Sequence, residues 1–242
     1  MLLYQTKIYF DIINIGDNME KYYKFELNVK TMNIIILLAF IPLGIVFAIF
    51  SDFFKDTFNN LYINLGGLIL MFIIHELLHG VGYSIFAKDK TKIKYGAALE
   101  KGVLYAMCQD EINKTGIIVS LLLPTIILTF ILGPLGILIN NSLLVFLAIM
   151  NLYGAMGDIM MTTLAIRLPK DTKYIDYNND IGAYFISKED ISHMKTIGFK
   201  CVKSGEHTLD NVDHSIKKIY ISKGSIIYLL IFIAIILIDI LL

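Results

Sequence analysis

Leu61-Tyr-Ile-Asn-Leu-Gly-Gly-Leu-Ile-Leu-Met-Phe-Ile-Ile-His75-Glu76-Leu-Leu-His79-Gly80-Val-Gly-Tyr-Ser-Ile-Phe86 decides how this chain is read. The stretch is long and apolar enough for a helix that crosses a bilayer, and its last third carries His-Glu-x-x-His. On a helix, His75 and His79 lie four apart on one face. Two imidazoles so placed can bind one Zn²⁺ at about 2.0–2.1 Å. Glu76 follows the first His and lies beside the metal, where it can take a proton from the water that the metal activates. Five His and seven Glu in 242 residues give roughly 0.003 chance matches to this spacing. The competing explanation is a buried helix whose His and Glu satisfy one another. The setting weakens it, because ionisable groups inside an apolar segment are costly unless they serve a site.

Composition extends the membrane reading beyond this helix. Apolar residues make up 56% of the chain, charged residues 17%, and mean hydropathy is +0.67; soluble domains are more polar than this. Net charge is zero, and no basic patch with interleaved aromatics points to nucleic acid. Cys108 and Cys201 are far apart with no CxxC spacing, which argues against a disulfide framework or a Cys-rich zinc site. The N-terminus lacks a signal-peptide h-region and cleavage site, so the first membrane helix is expected to direct insertion.

The expected fold is mainly α, a multi-pass membrane protein with about five transmembrane helices. Apolar runs place spans at about 32–50, 61–86, 115–138 and 142–168 in a core of residues 32–168, with a C-terminal transmembrane helix at 224–242. Pro124 is expected to kink the third span, and Asn151 with Gly157-Asp158 to interrupt the fourth. Residues 1–31 form an N-terminal segment in which 7–13 and 22–29 alternate enough for short strands. Residues 93–108 read as a β-hairpin after the HExxH helix, turning at Glu100-Lys101-Gly102. Residues 169–223 read as a small α+β segment. Strands are expected at Ala183–Ile186 and Phe199–Val202, with a short helix opened by Ser187-Lys-Glu-Asp190 between them.

Lys and Arg number four in residues 1–31, one in the 51–60 loop, six in 87–114, none in 139–142 and ten in 167–223. With five spans, the basic segments share one side if the N-terminus is cytoplasmic and the C-terminus outside. The expected location is therefore the cytoplasmic membrane.

A catalytic zinc usually has three protein ligands and an open position. The metzincin continuation fails, because Ile85 stands where its third His belongs. Glu100 has nearly the spacing of a thermolysin-like third ligand but sits in a probable turn of a basic loop, without rigid support. Asp158 is the better candidate. It lies ten residues from the end of its span at Leu168, and His75 and His79 lie eleven and seven from Phe86. All three then sit roughly 10–16 Å inside the same membrane face. The competing explanation for Asp158 is a carboxylate buried by hydrogen bonds to Asn151, Thr162 or Thr163. Glu100 and Asp176 stand next in line as ligands.

HELLHG in a membrane helix, a following hairpin and an Asp in a later helix resemble the site-2 protease group of intramembrane metalloproteases. The chain is closer still to a bacterial membrane family of zincin peptidases. In that family HELLHG is followed by a segment like Tyr105-Ala-Met-Cys108, a pair like Gly157-Asp158, and a stretch like Leu168-Pro-Lys-Asp171 through Asp176 to Ile181-Gly182. The resemblance covers about residues 65–186. Site-2 proteases usually show Asp-Gly preceded by Asn and Pro, whereas this chain has Gly-Asp, with Asn151 but no nearby Pro.

Together these features lead to an expectation of one catalytic Zn²⁺ on His75, His79 and Asp158, with Glu76 as general base. The protein would hydrolyse peptide bonds of membrane or membrane-adjacent proteins. The hairpin would receive substrate as an added strand, with Tyr95, Gly96, Tyr105 and Asn151 contacting it. The expected partners are the lipid bilayer and a membrane-protein or peptide substrate. The rivals are a non-catalytic metal-binding membrane scaffold and a zinc carrier. A structural zinc needs no base such as Glu76, and a carrier needs ionisable residues along a path rather than at one point.

Overall fold

The computed structural model describes residues 20–59, 61–98, 103–176 and 182–206. The strand expected at 7–13, the hairpin tip with Glu100, His207, His214 and the span expected at 224–242 lie outside the described residues.

The helices follow the apolar runs closely. α1 is Val29–Ile49, α2 Ser51–Phe58 and α3 Leu61–Phe86. α4 (Lys114–Pro124) continues through a π-helical stretch, Thr125–Ile131, into α5 (Leu132–Leu138). α6 is Ser142–Gly154 and α7 Met156–Arg167. Asparagine side chains start three of them. Asn28 accepts from the Thr31 N–H, Asn113 from Gly116 and Asn141 from Leu144, at 3.2, 2.7 and 3.0 Å; each bond satisfies a first-turn amide that has no partner within the helix.

Among the described residues, two helices, Tyr62–Phe86 and Lys114–Leu138, are long and apolar enough to cross a membrane. The number rises to four if each bent pair is one span: α1 with α2, bent by 95°, and α6 with α7, bent by 50°. The four apolar runs expected before residue 169 are thus all helical, and the fifth is not among the described residues. Pro124 does not end its helix. The helix widens into the π stretch immediately after it, a common adjustment in apolar helices.

α3 is the hub. It packs on α4, α6 and the hairpin, while Ile69, Ile73, Leu77 and Ile85 on its outer side are exposed. Its approach to α4 is close because Gly82 faces Ser120, and a Cβ on residue 82 would stand 2.6 Å from the Ser120 Cα. α1 leans on α6 through the stacked rings of Phe40 and Tyr153, 5.6 Å apart, and the Tyr153 hydroxyl donates to the Ala39 carbonyl at 2.6 Å.

The hairpin forms as expected. β2 (Ile93–Ala98) pairs antiparallel with β3 (Val103–Cys108), with Tyr95 opposite Ala106 and Gly96 opposite Tyr105. The polar segments depart from expectation. β1 (Lys21–Leu27), β4 (Ile112–Asn113), β5 (Lys173–Ile175), β6 (Gly182–Ser187) and β7 (Phe199–Glu206) form one antiparallel sheet in the order β4-β5-β6-β1-β7. Residues before the first apolar helix therefore lie between two strands from beyond the fourth, so the two polar segments fold as one unit.

No helix occurs among the described residues of 169–206. The Ser187 hydroxyl accepts from the Glu189 N–H at 3.1 Å, and Asp190 accepts from Ser192 at 2.9 Å. These side chains reach two residues ahead and close turns instead of opening a helix. Over its described residues the segment is β-strand and loop, without the helix expected after Ser187. One core joins sheet to helices, since Phe25, Tyr174 and Phe185 share it with Tyr83, Ile117, Leu121 and Leu164.

Candidate metal centre

His75 and His79 rise from one face of α3, one turn apart, and both are buried. Asp158 comes from the first turn of α7, just past the bend at Ala155. Free amides at a helix N-terminus favour a carboxylate in that position. The three side chains converge. His75 Nε2 is 3.1 Å from Asp158 Oδ2, His79 Nε2 is 3.4 Å from the same oxygen, and the two Nε2 atoms are 3.1 Å apart.

The outer nitrogens settle the tautomers. His79 Nδ1 is 2.8 Å from the Ser120 carbonyl, which can only accept, so Nδ1 carries the proton. His75 Nδ1 is 2.8 Å from Asn151 Oδ1. Asn151 is fully buried, and its Nδ2 donates to the Pro124 carbonyl at 3.4 Å and to Thr129 Oγ1 at 3.0 Å. Those bonds orient the amide so that Oδ1 faces His75, whose Nδ1 must then donate. In their neutral form, both imidazoles direct Nε2 lone pairs at one point, where a carboxylate oxygen also faces. In that form the three acceptors repel unless a cation stands between them. Tetrahedral zinc with bonds of about 2.05 Å separates its ligand atoms by about 3.3 Å, which agrees with 3.1, 3.1 and 3.4 Å. The donor set, two imidazoles and one carboxylate, suits zinc.

The competing account of Asp158 is not what the structure contains. The Thr163 hydroxyl donates to the Met160 carbonyl, Thr162 Oγ1 is buried without a hydrogen-bond partner, and Asn151 serves His75. Among the described residues, His75, His79 and Asp158 are the one group of three or more such side chains close enough to hold a metal ion. Asp176 is not in it; its backbone N–H donates to the Cys108 carbonyl at 2.9 Å. His193 is exposed in the loop before β7.

Glu76 is not among the converging groups either. Its Oε2 accepts the backbone N–H of Ala106 in β3 at 2.7 Å. Tyr83, one turn beyond His79, is buried and stacks on the His79 ring at 6.4 Å. Of the residues expected to contact substrate, Tyr95 and Tyr105 are part-exposed on the hairpin, Gly96 lies under the Tyr105 ring, and Asn151 stands behind His75. The Ser120 carbonyl and the Ala106 amide were missed from sequence. Both are backbone atoms, so no residue type could signal them.

Residues 68–173 match a family described as "Putative zincin peptidase". The match begins within α3 ahead of the HExxH motif and runs through the hairpin, α4 to α7 and into β5, so all three converging side chains and Glu76 fall inside it. A zincin is a zinc peptidase built on HExxH, and the geometry supplies such a donor set. Neither a curated protein nor a solved structure matches the chain.

Proposed function

We propose that this protein is a zinc-dependent peptidase embedded in the cytoplasmic membrane, similar in design to the site-2 proteases, with its N-terminus in the cytoplasm and its C-terminus outside. The carrying observation is the division of labour in the site. Two imidazole Nε2 atoms, each ring held at Nδ1, converge with a carboxylate oxygen, while the adjacent carboxylate stands outside the donor set on a backbone amide. A purely structural zinc would need the first feature and not the second.

Zinc held there supplies Lewis acidity toward a peptide carbonyl and toward water. Asn151 and the Ser120 carbonyl hold the two Nδ1–H groups and so keep both Nε2 atoms aimed at it. Glu76 takes the proton of the attacking water and passes it to the leaving amine. Its Oε2 is committed to Ala106, so Oε1 is the oxygen left for that task. β3 points main-chain groups away from β2: the Ala106 N–H reaches Glu76 and the Cys108 carbonyl meets Asp176. By strand alternation Leu104 presents its groups on the same edge. With the Ala106 N–H and Cys108 carbonyl already taken, an extended segment of a membrane protein pairs there through the Leu104 groups and enters beside the exposed side of α3.

The test is a pair of carboxylate variants of the full chain in detergent. Glu76→Gln should keep zinc and lose hydrolysis by about 10²–10⁴-fold. Asp158→Asn should lose zinc affinity by more than the 10–100-fold typical of outer partners. Full zinc affinity in folded Asp158→Asn, or undiminished hydrolysis by Glu76→Gln, would overturn the assignment. Comparing the membrane proteins of wild-type and Glu76→Gln cells would then identify substrates as accumulating precursors.

A further inference from the structure

Glu76 and Gly80 are four apart on α3 and share a face. Tyr95 and Ala106 are directly opposite each other across the hairpin. The two pairs meet. Glu76 accepts the Ala106 N–H at 2.7 Å, and the Tyr95 ring lies on Gly80, where a Cβ would fall on its hydroxyl oxygen and Cζ. Helix and hairpin are thus located on each other at two points one helical turn apart. Tyr95 is 52% exposed, so its ring does not fill a core; what it contacts is the bare helix backbone at residue 80. On the hairpin itself the Tyr105 ring covers Gly96, its cross-strand partner, in the same way.

We propose that the Tyr95–Gly80 seat is a positioning device for the general base. It sets the height of the hairpin on α3 at which the Ala106 amide holds Glu76. The proposal rests on the reading of Glu76 as that base. Any side chain at residue 80 displaces the end of the Tyr95 ring from the helix, and the hairpin loses that anchor beside the Ala106 amide. The zinc ligands stay in place, because His75 and His79 are held by α6 and α4. Tyr95 and Gly80 do not touch substrate in this role. They act through the orientation of a carboxylate, for which about 1 Å of misplacement costs about 10²-fold in rate.

Amide hydrogen exchange at Ala106 reads the seat without reference to activity. In the full chain, Gly80→Ala should speed that exchange by about 10–100-fold, as removal of a hydrogen bond to a charged group implies, and Glu76→Ala should do the same. Gly80→Ala combined with Tyr95→Ala should expose the amide no more than either single variant, since both remove the same contact. Hydrolysis should follow: kcat down about 10²-fold in Gly80→Ala with KM and zinc content unchanged, and by the same factor in the double variant. Unchanged Ala106 exchange in Gly80→Ala, or a double variant worse than either single one, would overturn the proposal. If Gly80→Ala does not fold, Tyr95→Ala decides alone. It must speed Ala106 exchange while Tyr95→Phe does not, and equal exchange in the two refutes the seat. Exchange as expected in a wild-type protein that hydrolyses nothing would refute the peptidase reading instead, leaving the seat as the clamp on Glu76.

Discussion

Asn151 is the residue whose substitution separates the site described above from the one expected from sequence. It accepts from His75 Nδ1 and donates to the Pro124 carbonyl and Thr129 Oγ1, all in a fully buried position. Asn151→Ala removes the partner that orients a metal-ligating imidazole, a loss that typically lowers metal affinity by about 10–100-fold. It also leaves the buried His75 Nδ1 and Pro124 carbonyl and the half-buried Thr129 hydroxyl each one partner short, at about 1–3 kcal/mol for a group left wholly unsatisfied. Asn151→Asp divides these effects. An ionised Asp keeps an acceptor for His75 but cannot donate to Pro124 or Thr129, so zinc affinity should stay near that of the wild type while thermal stability falls. The assay is zinc competition against a chromophoric chelator in detergent, with thermal unfolding of the same samples. If Asn151 instead contacted substrate, Asn151→Ala would raise KM and leave zinc affinity alone. Zinc affinity within twofold of wild type in folded Asn151→Ala, or an equal loss in Asn151→Asp and Asn151→Ala, would refute the reasoning.

Asp110 ties the turn after α3 to the exit of β3. Burial alone would raise its carboxyl, but the N–H groups of Asp89 and Lys88 and the Lys92 ammonium outweigh it and hold the carboxyl below its usual range. A depressed carboxylate contributes stability above its unfolded pKa of about 3.9, and that contribution is lost as pH falls through the folded value. Wild type should therefore exceed Asp110→Asn in melting temperature at pH 6–7, with the gap closing below about pH 4; a gap independent of pH would contradict this. Gly82→Ala should push α4 from α3 at Ser120, cost about 1–3 kcal/mol and weaken zinc binding through His79, as unfolding and zinc competition would register; an unchanged protein would mean that the close approach is slack. Single cysteines at Asp56 and Lys90 should label from outside and from the cytoplasm respectively, and external labelling at Lys90 would reverse the orientation.

What was legible in the sequence was local. α3 was readable to its ends because an unbroken apolar run on a helix has few alternatives, and the hairpin was readable from two short runs around a Gly-containing turn. That Asp158 lies level with His75 and His79 was legible from depth, because rise per residue converts distance from a helix end into a level along the bundle. What was not legible depends on partners far apart along the chain or on atoms common to every residue. β1 reads as a strand, but nothing in Lys21–Leu27 says that its neighbours are β6 and β7, more than 150 residues later. Ser187 and Asp190 have the composition of a helix start and the geometry of turns, and only the course of the chain between β6 and β7 separates the two.

The long-range pairings bear on the site as well as on the sheet. Met160, two residues beyond Asp158 on α7, shares a core with Phe25 of β1 and Phe199 of β7. The Asn28 amide, at the start of α1, donates to the carbonyl of Gly198, immediately before β7. The sheet is therefore packed against the helix that carries Asp158 and bonded to the chain where the first helix begins. His75 and His79 have their outer nitrogens held by α6 and α4, within the apolar bundle, whereas the helix bearing Asp158 is also held from the polar side. The convergence of the three side chains thus draws on contacts from both the bundle and the sheet. The spacing of the two histidines is local to one helix, whereas the place of the aspartate beside them depends on how separate elements pack.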